Sequence, residues 1–227
     1  MGVVETLAGE LREGIKVGRF VPGYRLVESD LQRDFGVSRG PIREALSKLE
    51  VEGLVEIVPN RGALVRRMTP RDVRELVAAR EFVEGGAAEL AARAAAGDGA
   101  VASKVTALAG EAQEWASATD ASGCHEASER FHASIVELSG NSLLTSIAGQ
   151  LHVQAYRVLF HGVVTVEQCR LSSSEHVSIA TAITAGDEDA ARVLMRSHIR
   201  RTGNLVVRRL ETSLPADERD DARHLAG

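Results

Sequence analysis

Residues 27–54 constrain this chain more than any other stretch. They read Val27-Glu28-Ser29-Asp30-Leu31-Gln32-Arg33-Asp34-Phe35-Gly36-Val37-Ser38-Arg39-Gly40-Pro41-Ile42-Arg43-Glu44-Ala45-Leu46 and run on through Leu49 to Gly53-Leu54. A short helix is predicted to stop at Gly36, and a second to start at Ser38, whose hydroxyl is able to accept free first-turn N–H groups. Pro41 falls in that first turn, where a missing N–H costs nothing. Helix, tight glycine turn and helix make a helix-turn-helix, whose second helix enters the DNA major groove by its N-terminal end. Arg39 and Arg43 sit at that end, four residues apart on one face, and Arg suits the guanine edge and phosphate alike.

The next residues complete a module. Leu54 to Val58 and Ala63 to Arg67 alternate about a Pro59-Asn60-Arg61-Gly62 turn, the pattern of a β-hairpin. A hairpin after a recognition helix is a wing, and Arg61 at its tip is placed for a phosphate or the minor groove. Upstream, Val4, Leu7, Leu11 and Ile15 make the stripe of an amphipathic helix over 3–17, and Phe20 to Tyr24 is a turn. Near Met68 the character changes. Thr69 as N-cap, Pro70 at the first helical position and Asp72 three residues on mark a fresh helix start. Helices are predicted over 70–96, 100–118, 120–138, 141–160, 165–185 and 187–211, with breaks at Gly97-Asp98-Gly99, Ser139-Gly140-Asn141, Gly162 and Gly186-Asp187. The expected fold is mainly α: a winged helix-turn-helix over 1–68, an antiparallel all-α helical bundle over 69–212 and a flexible, charged tail over 213–227.

Charge and cysteine content narrow the class. The net charge is −5, which does not suit a generally basic DNA binder. Residues 1–70 hold 11 Lys and Arg against 10 Asp and Glu, whereas residues 71–227 hold 16 against 22. Positive charge must therefore be focused on the recognition helix and wing, with dimerisation needed to gather enough phosphate contacts. No apolar run is long enough to span a membrane, and no secretory signal pattern is present. Cys124 and Cys169 are too few and too scattered for a disulfide framework or a thiolate zinc site. These features point to a cytoplasmic protein.

Four polar residues interrupt apolar stripes of the predicted bundle, where charge is expensive. They are Arg80, His132, His176 and His198. Any one histidine suits a satisfied interior position; three on three helices, all facing inward, suit a divalent metal ion. Arg80 offers a planar fork and is expected to be the main anchor for a carboxylate ligand, with Glu84, one turn later, as the alternative partner.

The first of these regions closely resembles the winged helix-turn-helix of the GntR family of bacterial transcription regulators. The matching residues include Leu31, Phe35, Val37-Ser38-Arg39, Pro41, Arg43-Glu44-Ala45-Leu46, Glu52-Gly53-Leu54 and Gly62. The resemblance implies a DNA-facing set of Arg33, Ser38, Arg39, Gly40, Arg43, Arg61 and Gly62. Gly40 departs from the small hydroxyl residue, often Thr, usual between the Arg and the Pro. Residues 70–210 resemble the FCD effector domain of the family's FadR-type branch, through Glu129-Arg130-Phe131-His132, Leu138-Ser139-Gly140-Asn141, Glu175-His176 and His198-Ile199. That resemblance implies a divalent metal, zinc or nickel, on His132, His176 and His198, with Ser128 where an acidic or amide ligand usually stands. It also implies a small organic-acid effector near Arg80, Ser128 and Asn141. The implied protein is a homodimeric regulator, a repressor by the usual sign of the family, that binds a two-fold operator in double-stranded DNA. A metal-dependent enzyme built on the three histidines is the competing reading, weakened by the lack of a carboxylate placed as general base.

Overall fold

In the computed structural model the described residues are 2–59, 62–121, 123–160 and 165–213, without the side chains of 153–160 and 213. The chain divides into two compact units, Met1–Met68 and Thr69–Gly227.

The first unit is built on α1 (Val3–Lys16), α2 (Glu28–Phe35) and α3 (Arg39–Val51). Leu7, Leu11 and Ile15 of α1 are buried with Leu31 of α2 and Ile42, Ala45, Leu46 and Leu49 of α3. The helical spacing of these apolar residues thus sets which face of α3 turns inward. Its other face carries Arg39, Gly40 and Arg43, all exposed. Gly36 ends α2 in the left-handed region, with φ 65°, as a C-cap glycine does. Ser38 holds the N-cap position of α3 in extended conformation, but its hydroxyl makes no capping hydrogen bond there.

The wing has one more strand than its alternating pattern announces. β2 (Val55–Val58) pairs antiparallel with β3 (Gly62–Val65), and β3 also pairs with β1 (Arg25–Leu26), giving the order β1-β3-β2. β1 is only two residues long, and the turn reading of Phe20 to Tyr24 gave no sign of it. A Cβ on Gly62 would lie 2.2 Å from the Leu26 carbonyl oxygen, so glycine is what lets β1 and β3 close together. Asn60 and Arg61, the expected wing tip, lie outside the described residues.

The second unit is helical: α4 (Pro70–Gly97), α5 (Gly99–Ala116), α6 (Cys124–Leu138), α7 (Ser142–Phe160), α8 (Val166–Thr184) and α9 (Glu188–Ser213). The Thr69–Asp72 capping box opens α4 as its sequence indicates. α6 begins four residues later than the expected 120. The break at Gly162 and the tail after Ser213 lie outside the described residues. α4 packs against α5, α6, α7, α8 and α9. Its Ala88, Ala91, Ala92 and Ala95 enter a core with Phe131, Ile135, Ile179, Ile183, Met195 and Ile199. Small side chains on the central helix let several neighbours approach it, and this brings polar groups from five helices within reach of one another.

The cysteine reading needs correction. Cys124 and Cys169 form a disulfide that joins the first residue of α6 to the first turn of α8. The two cysteines are 45 residues apart, with no spacing signature to pair them; only the packing of α6 beside α8 brings them together.

Candidate functional site

Two constellations of polar residues stand out, one on each unit. On the first, Arg39 donates through Nε to Glu28 Oε2 at 2.5 Å, and Arg43 donates through Nε to both oxygens of the same carboxylate at 3.0 and 3.2 Å. Partial burial pushes the Glu28 carboxyl up, but the hydrogen bonds from Arg39 and Arg43 outweigh this and hold it below the usual carboxylate range. Arg33 is exposed, 3.2 Å from Asp30 and 3.5 Å from Asp34. Beyond the local backbone of its own helix, no heavy atom of the described residues lies within 4 Å of a Cβ built on Gly40, so the position is open. Structure thus brings Ser38, Arg39, Gly40 and Arg43 to one exposed end of α3. It gives Gly62 a packing reason of its own.

In the second unit the three expected histidines meet. His132 on α6, His176 on α8 and His198 on α9 are each buried, and one ligand atom from each lies within 4.8 Å of the others. His132 Nε2 is 3.1 Å from His198 Nε2, and His176 Nε2 is 3.2 Å from the same atom. What aims these rings is a pair of carboxylates. Glu84 Oε2 is 2.6 Å from His132 Nδ1, and Glu175 Oε2 is 2.6 Å from His198 Nδ1. A carboxylate accepts, so each Nδ1 carries the proton and each neutral ring presents a bare lone pair at Nε2. His132 and His198 therefore turn two acceptors toward each other. Such a contact is unfavourable until a cation lies between the nitrogens. The carboxylate–histidine arrangement is the one that orients imidazole ligands around metals.

The electrostatics agree. Burial pushes His132 from 6.5 down to about 4, against the opposing pull of Glu84. Burial also lowers His198, again against its carboxylate partner, and lowers His176 well below the ordinary range, with the neighbouring histidines adding to the effect. All three rings are thus neutral near pH 7, the form that binds metal. Burial raises Glu84, but Arg80 and His132, with His152, hold it well below the carboxylate range. Glu175 is anchored by Arg201 through two hydrogen bonds of 2.5 Å. This donor set, three neutral imidazoles backed by two anchored carboxylates, fits a divalent ion.

The remaining expected residues divide. Arg80 is buried and donates through Nε to Glu84 Oε1 at 2.6 Å, so the pair with Glu84 that its spacing offers is formed. It acts on the histidines through that carboxylate. Ser128 lies one turn before His132 and lines a small cavity with Trp115, Phe131, Ser173 and His176. At about 10 Å³ the cavity matches a single water. Asn141 is exposed, and its side-chain oxygen accepts from the backbone N–H groups of Leu143 and Leu144 at the start of α7. It is a cap rather than a member of the histidine cluster. Sequence reasoning missed Glu175, Arg201 and His152, whose Nε2 is 3.1 Å from Glu84 Oε1. Glu175 was visible as the neighbour of His176; its reach to His198 is a property of the packing alone. Among the described residues no helix is long and apolar enough to cross a membrane.

Comparison with known proteins follows the same division. Residues 3–65 match the model of the bacterial regulatory proteins of the gntR family, and residues 64–201 match that of the FCD domain. An uncharacterized HTH-type transcriptional regulator in an unstable DNA locus of Streptomyces ambofaciens is 34% identical over 195 residues, covering 84% of this chain and 79% of that protein. The E. coli protein McbR/YncC has a similar structure, with a TM-score of 0.76 at 19% identity over 92% of this chain and 99% of that one. The Zn2+-bound FCD domain of TM0439, a putative transcriptional regulator, superposes with a TM-score of 0.51 at 22% identity, over 64% of this chain and 99% of that one.

Proposed function

The chain belongs to the gntR family of bacterial regulatory proteins and carries an FCD domain, and from that premise we propose that a divalent metal ion and a small organic acid control its hold on DNA. Regulators of this family are DNA-binding transcription factors, not enzymes. In our reading two chains dimerise in the cytoplasm, and each sets the N-terminal end of α3 into one half-site of a two-fold operator. His132, His176 and His198 hold the ion, with zinc or nickel the first candidates. When bound, the ion supplies a positive centre that attracts a carboxylate. Ser128 is a poor ligand where relatives place a better one, so more of the coordination sphere is left for water or the acid. Glu84 and Glu175 hold His132 and His198 in the metal-binding tautomer, and Arg80 and Arg201 hold those two carboxylates. The acid binds the DNA-competent and DNA-incompetent arrangements unequally and shifts the population between them. Release from DNA on binding, hence repression, is the sign we adopt.

The observation that carries this reading is the facing of two Nε2 lone pairs, each fixed by a carboxylate on its Nδ1. That a domain of the same fold is known in a Zn2+-bound form supports zinc. The test is a thermal-shift screen of small carboxylic acids with and without added Zn2+ or Ni2+, followed by operator binding with each hit. A true ligand raises the melting temperature by mass action. The reading requires at least one acid whose shift depends on metal and which changes operator affinity. A screen in which metal alters neither melting nor acid binding would falsify it.

A further inference from the structure

Glu28 is the one acidic side chain bonded to the recognition arginines among the described contacts, and nothing in its helical stripe marks it for that role. Its side chain is 18% exposed, against 60% for Arg39 and 54% for Arg43, so a half-buried carboxylate is carried beneath two exposed cations. It is the first residue of α2, where the positive end of the helix favours a negative charge. Both arginines use the same atom toward it, Nε. A guanidinium has five donors in a fixed fork. With Nε engaged, the outer edge formed by the two terminal nitrogens remains for a second planar acceptor such as guanine O6 and N7.

We propose that Glu28 is a specificity-determining residue, one carboxylate that braces Arg39 and Arg43 by Nε so that their outer edges read bases. The inference rests on Arg39 and Arg43 being the base-reading residues of the DNA-binding unit. Two physical effects follow from the brace. An unbraced Arg spreads over many rotamers and follows the nearest phosphate, which carries no sequence information. A negative charge between the pair also cancels part of their attraction to the phosphate backbone, which weakens binding to DNA of any sequence. Bracing thus lowers the affinity for random DNA and raises the affinity for the right site. The same residue explains how a unit with nearly balanced charge discriminates at all.

The experiment compares the full chain with Glu28→Gln and Glu28→Asp on two duplexes, one selected from a random pool by the wild-type protein and one of scrambled sequence. For Glu28→Gln the scrambled duplex binds more tightly, and the salt slope on it steepens by about one. The ratio of specific to non-specific affinity falls about ten-fold, within the discrimination one good bidentate contact supplies. Glu28→Asp keeps the charge but loses reach, so it binds the scrambled duplex like wild type with an intermediate ratio. Equal melting temperatures for all three chains exclude loss of fold as the cause. An unchanged ratio and slope in folded Glu28→Gln overturns the proposal. A wild-type chain that enriches no sequence from the pool overturns the base-reading assignment itself, and this inference with it.

Discussion

Arg39 and Arg43 in the first unit and Arg80 in the second are each bonded to a glutamate, yet their surroundings are opposite. Arg39 and Arg43 stand with more than half their side-chain surface in water. Arg80 and Glu84 are 8% and 0% exposed, and Glu84 also carries His132. An exposed pair contributes little to stability, because water already solvates both partners. A buried pair is different: removing one member strands the other in a medium where bare charge is costly. The lesson is that the first unit keeps its function on a surface that can change without unfolding it. The second carries its histidine–carboxylate cluster in its core, so the residues that form the proposed site are also residues that hold the fold.

Four substitutions or conditions sharpen this contrast. Glu84→Ala should have the largest effect, since it strands Arg80 and releases His132 together; a loss of about 3–5 kcal/mol in a denaturant melt is expected. A loss under about 1 kcal/mol, the range of surface pairs, would erase the contrast between the units. Acid comes next. The folded chain holds His132 at about 4, whereas the unfolded chain binds that proton near 6.5. Stability of the metal-free protein is therefore complete above about pH 6.5 and falls as pH drops toward 4, by roughly 3 kcal/mol from this residue. Depressed Glu84 adds to the loss at the acid end. Melting temperatures measured across pH 4–8 check the direction; a protein more stable at pH 5 than at pH 7 would contradict it.

Cys124→Ser with Cys169→Ser should cost about 3 kcal/mol, a typical contribution for one native disulfide. The same loss on adding a dithiol reductant to wild type, and none on adding it to the double variant, identifies the disulfide as the source. Arg43→Ala is the smallest in stability and the plainest test of the first unit. It should weaken operator binding by about 1–3 kcal/mol while leaving the melting temperature unchanged. A coupled loss of both would place Arg43 in the fold as well.

How much of this could be read in the chain follows from the same distinction. The helix-turn-helix was legible because its signals are local: a glycine with positive φ at Gly36, an N-cap position at Ser38 and Pro41 one turn later. The inward histidines were legible because each interrupts an apolar period. β1 was not, since two residues form a strand only by pairing with β3, and no local pattern encodes that. Asn141 is expected near the effector on its motif, and what the packing adds is that its side-chain oxygen accepts from the first N–H groups of α7. The ties of Glu84 to His132, Glu175 to His198 and Cys124 to Cys169 cross between helices. They depend on which helices pack side by side, and helical period alone does not specify it.

Control of DNA binding by a metal-held acid requires that His132, His176 and His198 form a divalent-metal site inside the second unit. The direct measurement is a calorimetric Zn2+ titration of chelator-treated, untagged protein, alongside His176→Ala, with circular dichroism to verify that both are folded. The account predicts about one ion bound per chain in the wild type, with proton release or uptake small near pH 7 because the rings are already neutral, and binding lost or weakened at least about ten-fold in His176→Ala. No saturable Zn2+ or Ni2+ binding by folded wild type, or equal binding by wild type and variant, would contradict it.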